Sequence, residues 1–221
     1  LDKSIYKYEI IIAEDSSTDG TDRIAKELSG RFENVIWLHR DHKRGRGSAV
    51  SNAIKKSNGR IVGFVDVDLE TPAHYIYPMI LEIENGADIA TCIRVFKLNK
   101  YQLFRRFPKV LSHYFYLWLS HKLLGTNLID TEAGFKFFNR ERILPILDEV
   151  KNEHWFWDTE IMVRSYFRGY KIKELFTLFM PDYLRISKVN LFKDSLDYLV
   201  NLFRLKKELK QLRKTQYEET N

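Results

Sequence analysis

An α/β fold with acidic groups at the carboxyl edge of its sheet is what the 221-residue sequence predicts. Three observations point there. An apolar run, Ile61-Val62-Gly63-Phe64-Val65, closes on Asp66-Val67-Asp68-Leu69-Glu70. An upstream run, Tyr8-Glu9-Ile10-Ile11-Ile12-Ala13, closes on Glu14-Asp15-Ser16-Ser17-Thr18-Asp19-Gly20-Thr21. Between them, a basic glycine-punctuated loop, Arg40 to Ala49, runs into a helix pattern, which completes a βαβαβ rhythm. In open α/β sheets, ligands bind at the carboxyl ends of the strands.

Each element follows from its residues. The Ser, Thr and Asp cluster after Ala13 favours a helix start, so a helix is expected through Arg23–Leu28. In the basic loop, glycine lets the backbone approach a ligand, Arg and Lys attract phosphate, and a helix N-terminus favours anions. Arg44 and Arg46 are therefore candidates to line a nucleotide pocket, with a surface turn as the alternative. Asp66, Asp68 and Glu70 lie at i, i+2 and i+4, and share a face if strand geometry persists. Such carboxylates suit a hard divalent cation, Mg2+ or Mn2+, that keeps sites open for phosphate oxygens. Alone, a D-x-D pair is equally a solvated strand end.

Ile89-Ala90-Thr91-Cys92-Ile93 reads as a buried strand with a core thiol, and one cysteine excludes a disulfide framework. From about Lys109 to Leu124, Leu111, Tyr114, Phe115, Trp118 and Leu119 make a broad apolar helix face, either core or membrane interface. His113 and His121 lack companions at metal-ligand spacing. Late in the chain, Phe192, Leu196, Leu199, Phe203, Leu205, Leu209 and Leu212 lie on a helix beside Lys206, Lys207, Lys210, Arg213 and Lys214. A basic amphipathic helix of this kind lies on an anionic membrane or packs on protein. The net charge of +6 calls for an anionic partner. The 44% apolar fraction supports a real core, no apolar run is long enough to span a bilayer, and no secretory-signal pattern is present.

The motifs together resemble family-2 glycosyltransferases of the GT-A fold. E-D-S-S-T-D-G-T is similar to their D-D-G-S-x-D-G-T signature, R-G-R-G-S-A to their G-x-G-x-A loop, and D-V-D-L-E to their D-A-D segment. Asp130-Thr131-Glu132-Ala133-Gly134-Phe135-Lys136-Phe137-Phe138 resembles a segment of dolichyl-phosphate glucosyltransferases, and is related to one in dolichol-phosphate mannosyltransferases. Trp155-Phe156-Trp157-Asp158-Thr159-Glu160, Arg168-Gly169-Tyr170-Lys171-Ile172 and Arg185-Ile186-Ser187-Lys188-Val189 continue it. Four positions depart from the pattern: Glu14 stands for Asp, Ser16 for Gly, Ala133 for Cys and Ile186 for Gly. The family opens with a strand ending in P-x-Y-N-E that has no counterpart here, so a sheet without that strand is expected.

The resemblance implies a catalytic domain over 1–189 and a basic amphipathic helix with a polar tail over 190–221. It implies an inverting, metal-dependent transfer of a hexose from UDP-glucose or GDP-mannose to a polyprenyl or dolichyl phosphate. The place implied is the cytoplasmic face of a membrane, with peripheral contact and no nucleic-acid partner. Asp15, Ser16 and Asp66 would join Arg44 and Arg46 around the nucleotide sugar. Asp66 and Asp68 would be catalytic metal ligands, with Glu70 third. Arg94 matches an arginine used toward acceptor phosphate, and Arg105, Arg106, Lys109, Arg185 and Lys188 would join it. Asp158 and Glu160 would act as bases toward a hydroxyl acceptor, or orient cations if the acceptor is a phosphate. Asp130 would shape the acceptor side, with Gly134 allowing a tight turn. The alternatives are a family-2 enzyme acting on a saccharide hydroxyl and a non-catalytic basic binding or scaffold fragment.

Overall fold

The computed structural model describes residues 5–96, 111, 115, 117–180 and 191–220, the last helix with side-chain detail over 196–211. The order is β1 (Ile10–Ala13), α1 (Thr21–Arg31), β2 (Val35–Leu38), α2 (Arg46–Lys56), β3 (Ile61–Val65), α3 (Ile76–Glu84), β4 (Ile89–Phe96), α4 (117–124), β5 (Phe135–Asn139), α5 (Arg140–Glu149), α6 (Trp157–Phe167), β6 (Ile172–Phe179) and α7 (Leu191–Thr220). The expected strands and helices are all present, with the start of the aromatic helix lying outside the described residues.

Among the described residues the strands form two sheets. β1 and β2 pair in parallel, and a mixed sheet runs β3-β5-β4-β6. β5 is antiparallel to β3 and β4, while β4 and β6 are parallel. The carboxyl ends of β3, β4 and β6 therefore share one edge, and β5 begins there. Helix α2 packs against both β1 and β3 and so links the two sheets.

Helices cover both faces of the larger sheet. On one side, Ile54, Ile143, Ile146, Trp157, Ile161 and Met162 close over Val62, Ile89 and Phe138. On the other, Met79 and Ile83 of α3 meet Ala90, Cys92, Phe135 and Phe137. Cys92 is buried and reduced, as its strand setting predicts.

Helix α7 differs from its expected stripe. The residues that reach the core are Tyr198, Leu202, Leu205 and Leu209, against Leu124, Phe156 and Val163. Leu196 and Phe203, expected on that stripe, are exposed with Val200. The packed face is set by Tyr198, whose hydroxyl lies 2.9 Å from Thr159 Oγ1 and 3.3 Å from Ser120 Oγ. A buried phenol with polar partners packs as well as an aliphatic residue, and burial pushes its pKa up. Phe192 and Leu212, also expected on the stripe, and residues 213–220 lie outside the side-chain detail.

Among the described residues, two non-glycine residues, Ser16 and Leu69, have left-handed backbones, with φ of 58° and 52°. Ser16 stands where the family pattern has Gly. A left-handed conformation costs a side chain-bearing residue roughly 1–2 kcal/mol. Ser16→Gly is expected to raise unfolding free energy by about 0.5–1 kcal/mol after the added flexibility of the unfolded chain is offset. A shift of the urea midpoint to higher concentration, at unchanged slope, is the check.

Candidate active site

The site is built where β1 and β3 end and β5 begins. Past Val65 the strand does not continue. Asp66 N donates to Gly134 O at 3.0 Å, and Leu69 N closes a turn onto Asp66 O at 3.1 Å. The left-handed Leu69 completes that turn, which leaves Val67 90% exposed and sends Asp68 to solvent. This corrects the shared face expected for Asp66, Asp68 and Glu70, because strand alternation ends at Val65. Among the described residues, no three His, Cys, Asp or Glu side chains form a ready-made metal cage. Asp68 Oδ1 accepts from Glu70 N at 3.4 Å, and Glu70 O accepts from Met180 N at 2.7 Å, which ties the turn to the end of β6.

Arg46, at the first position of α2, reaches across to this turn. Its Nε and Nη2 donate to one oxygen of Asp66, Oδ1, at 2.9 and 2.7 Å. Its Nη1 donates to Asp158 Oδ2 at 2.5 Å. The guanidinium lies 5.2 Å from the centre of Phe64 and 5.6 Å from that of Trp155. Burial lowers its pKa, but Asp158 and Asp66 outweigh that and hold it above the usual arginine range. For Asp66, burial raises the pKa, and the Arg46 charge offsets only part of that rise.

The other oxygen of Asp158 belongs to Lys136. That lysine is fully buried on β5, with Nζ 3.1 Å from Asp158 Oδ1 and a second bond to Ala133 O. Two cations and two carboxylates thus form one partly buried cluster. Gly134 serves it by close approach rather than as a turn: a Cβ there would stand 1.8 Å from Asp66 Oδ2.

The basic loop is held from both sides. Asp15 Oδ2 accepts from Gly45 N at 2.7 Å, and Asp15 Oδ1 accepts from Arg44 N at 3.2 Å. Arg40 donates to the Ser48 hydroxyl and carbonyl, both at 2.9 Å, and lies 3.7 Å from Asp15. Gly45 has φ of 127° and abuts Glu153 O and the His154 ring, so a side chain there is excluded twice. Arg44, largely exposed, pairs with Glu153. Ser16 Oγ donates to Asp41 O at 3.3 Å. Glu14 is buried. Burial raises its pKa, but hydrogen bonds from Ser17 N and His39 outweigh that and bring it below the carboxylate range.

Two expected residues have other surroundings. Glu160 is fully buried, accepts from Lys151 N and Asn152 N at 3.1 and 2.9 Å, and is paired with Arg164 at 2.6 Å and Arg204 at 3.4 Å. It clamps α7 and the loop before α6 to the core, and the structure removes it from the candidate bases. Arg94 is held by Asp130, through Nε at 2.7 Å and Nη2 at 2.9 Å, with Glu132 at 3.5 Å. Burial lowers its pKa, and Asp130 more than reverses that. Arg105, Arg106, Lys109, Arg185 and Lys188 lie outside the described residues. Lys136, Arg40, Glu153 and Trp155 were not singled out as site residues in the sequence. A lysine inside the apolar run Phe135–Phe138 is the signal that marks the first of them.

Comparisons with known proteins agree with this architecture. The glycosyl transferase family 2 model matches residues 1–144. Glycosyltransferase AglD of Haloferax volcanii is 30% identical over 190 residues, covering 86% of this chain and 30% of that protein. A dolichyl-phosphate beta-glucosyltransferase, ALG5D of Trichomonas vaginalis, is 26% identical over 177 residues, covering 77% of this chain and 54% of that protein. The chain thus spans about half or less of the length of these relatives. Glucosyl-3-phosphoglycerate synthase from Mycobacterium tuberculosis, in a crystal structure with Mn2+, UDP-glucose and phosphoglyceric acid, superposes with a TM-score of 0.64 at 16% identity. That match covers 89% of this chain and 68% of the other, and shows the GT-A fold. With the family model spanning well over half of its residues, the chain belongs to glycosyl transferase family 2.

Proposed function

We propose that this chain carries the catalytic machinery of a metal-dependent, inverting glycosyltransferase that moves a hexose from UDP-glucose or GDP-mannose to a polyprenyl or dolichyl phosphate. The observation that carries this reading is the meeting of Arg46, Asp66 and Asp158 beside the exposed Asp68 at the sheet's carboxyl edge. A relative named for transfer to dolichyl phosphate supports the acceptor. Inversion follows from family membership and a single displacement.

Asp66 and Asp68 fit a hard divalent cation, Mg2+ or Mn2+. Both supply oxygen, Asp68 faces water, and one or two carboxylates plus substrate phosphates are the usual set for such an ion. Glu70 is third in that set. When bound, the ion neutralises charge on the departing nucleoside diphosphate. Asp15 holds the basic loop so that Arg44 and Arg46 flank the nucleotide sugar, with Ser16 at the same strand end. Asp158 orients Arg46 and Lys136.

The setting of Asp158 supports a phosphate acceptor. A sugar hydroxyl needs a base with an accessible lone pair, but both Asp158 oxygens are engaged by cations and the residue is 3% exposed. A phosphate acceptor is already an anion and needs positioning. Arg94, Arg105, Arg106, Lys109, Arg185 and Lys188 are the cations we assign to it.

Membrane contact at the cytoplasmic face belongs to the same proposal. Among the described residues no helix is long and apolar enough to cross a membrane. Leu119, Leu123 and Leu124 of the aromatic helix pack inward, whereas Leu111, Phe115 and Trp118 are about half exposed. Lys122 lies 5.0 Å from the Trp118 ring, and His121 Nε2 is bonded to Leu128 O. An aromatic, basic face of this kind suits an anionic interface. Vesicles containing phosphatidylserine are expected to shift tryptophan emission to the blue, and Trp118→Ala should abolish most of that shift.

Label transfer tests the reaction. The full protein is given UDP-glucose, GDP-mannose or UDP-N-acetylglucosamine with a short polyprenyl phosphate or a saccharide, with and without EDTA. EDTA-sensitive labelled lipid from one of the first two donors is expected. Labelled saccharide with no labelled lipid overturns the acceptor, and no product from any donor overturns the activity.

A further inference from the structure

Trp155 differs from the aromatic residues that follow it. In the run Trp155-Phe156-Trp157, Phe156 and Trp157 are 3% and 1% exposed, whereas Trp155 is 52% exposed. Its segment is held from two sides. Lys151 N and Asn152 N donate to Glu160, His154 N donates to Asn152 Oδ1 at 2.9 Å, and Ser48 N donates to Glu153 O at 3.0 Å. The basic loop packs on the same stretch: a Cβ at Gly45 would collide with Glu153 O and the His154 ring, and one at Gly47 with Trp157 and His154 O. From Phe156 onward the chain turns inward to start α6. A firmly held loop thus presents an indole to solvent, and it does so at the candidate active site. The Trp155 ring centre lies 5.6 Å from the guanidinium of Arg46, which itself spans from Asp66 to Asp158.

From this placement we infer that Trp155 is the platform on which the hexose of the donor stacks. The inference rests on the proposed donor site, where Arg46 flanks the nucleotide sugar, and it adds the residue that receives the sugar itself. A pyranose carries C–H groups on its ring faces and hydroxyls around its rim. An exposed aromatic plate with charged groups at its edge matches both, and aromatic side chains beside a few placed polar groups are the usual lining of small-ligand sites. Connectivity selects the hexose over the base. The hexose is joined through a single oxygen to the terminal phosphate, whereas the base lies beyond the other phosphate and the ribose. The transferred sugar must also lie between the diphosphate and the acceptor. Arg46 runs from the turn after β3 to Asp158, and Trp155 stands along that span. Such a plate reads the sugar ring and leaves the nucleotide to other groups.

Calorimetric titration of the full protein in Mg2+ with UDP, UDP-glucose, GDP and GDP-mannose separates the sugar from the nucleotide. For the donor that wild type binds, Trp155→Ala is expected to weaken the sugar nucleotide by about three- to tenfold and to leave the matching nucleoside diphosphate unchanged. Trp155→Phe keeps a smaller plate and should fall between wild type and Trp155→Ala. An unchanged urea midpoint is expected for both variants, since the replaced side chain is exposed. Equal weakening of sugar nucleotide and diphosphate would mean that Trp155 acts on the phosphates through Arg46, and would overturn the platform. Weakening of neither would overturn it as well, while leaving the donor site standing. Saturation-transfer NMR on the wild type is independent of how the variants fold. Irradiating the indole resonances should mark the C–H protons of the hexose, and marking of the ribose and base alone overturns the platform. A wild-type protein that binds neither sugar nucleotide overturns the donor site and the platform together.

Discussion

Asp68→Ala is expected to cut sugar transfer by about 10³-fold while changing unfolding free energy by no more than about 0.5 kcal/mol. The two halves of that expectation come from one fact. Asp68 lies exposed on the turn that follows β3, where it accepts from Glu70 N at 3.4 Å. A substitution at an exposed turn position removes little from the fold. It removes one of two carboxylates proposed to hold the cation, and the electrostatic stabilisation of a departing diphosphate is worth several kcal/mol. Asp66→Ala should behave differently, losing activity and stability together, because Asp66 also holds Arg46. EDTA supplies the control. It should lower wild-type transfer toward the residual rate of Asp68→Ala and leave that variant's own rate unchanged. An Asp68→Ala protein with full transfer and full EDTA sensitivity would move the metal elsewhere.

The contrast between those aspartates also shows where sequence reading reaches and where it stops. β3 ends at Val65 as its apolar run predicts, and the carboxylates stand at the sheet edge, since hydrophobic runs report burial directly. The spacing of Asp66, Asp68 and Glu70 does not report the turn between them, because a left-handed Leu69 carries no residue signature of its kind. Glu160 and Arg164 are four apart on one helix, a pairing visible in sequence. Arg204, which completes the environment of Glu160 and makes it structural, comes from a helix far along the chain. The α7 stripe went astray for a related reason: Tyr198 counts as amphipathic in a pattern but packs as core once Thr159 and Ser120 meet its hydroxyl. Local pattern finds elements and edges; long-range polar pairing decides which charged groups face ligand and which face protein.

Lys136 is the sharpest instance of such pairing, and Lys136→Met is expected to destabilise the fold by about 3–5 kcal/mol. The ammonium is wholly enclosed on β5, the strand between β3 and β4, with the Phe64 ring 5.6 Å away. It is tolerated there because Asp158 Oδ1 and Ala133 O accept from it. Methionine fills a similar volume, so little cavity forms and packing is a minor part of the loss. The cost arises from Asp158, itself buried, which would keep Arg46 and lose its other cation. A buried carboxylate left half-compensated is worse than none. The double variant Lys136→Met/Asp158→Asn should therefore recover a large part of the lost stability, with a coupling of about 1–3 kcal/mol in a denaturant cycle. Transfer activity should not recover with it, because asparagine cannot hold Arg46 by charge. Equal loss of stability in the single and double variants would show that Lys136 contributes by packing and not through Asp158.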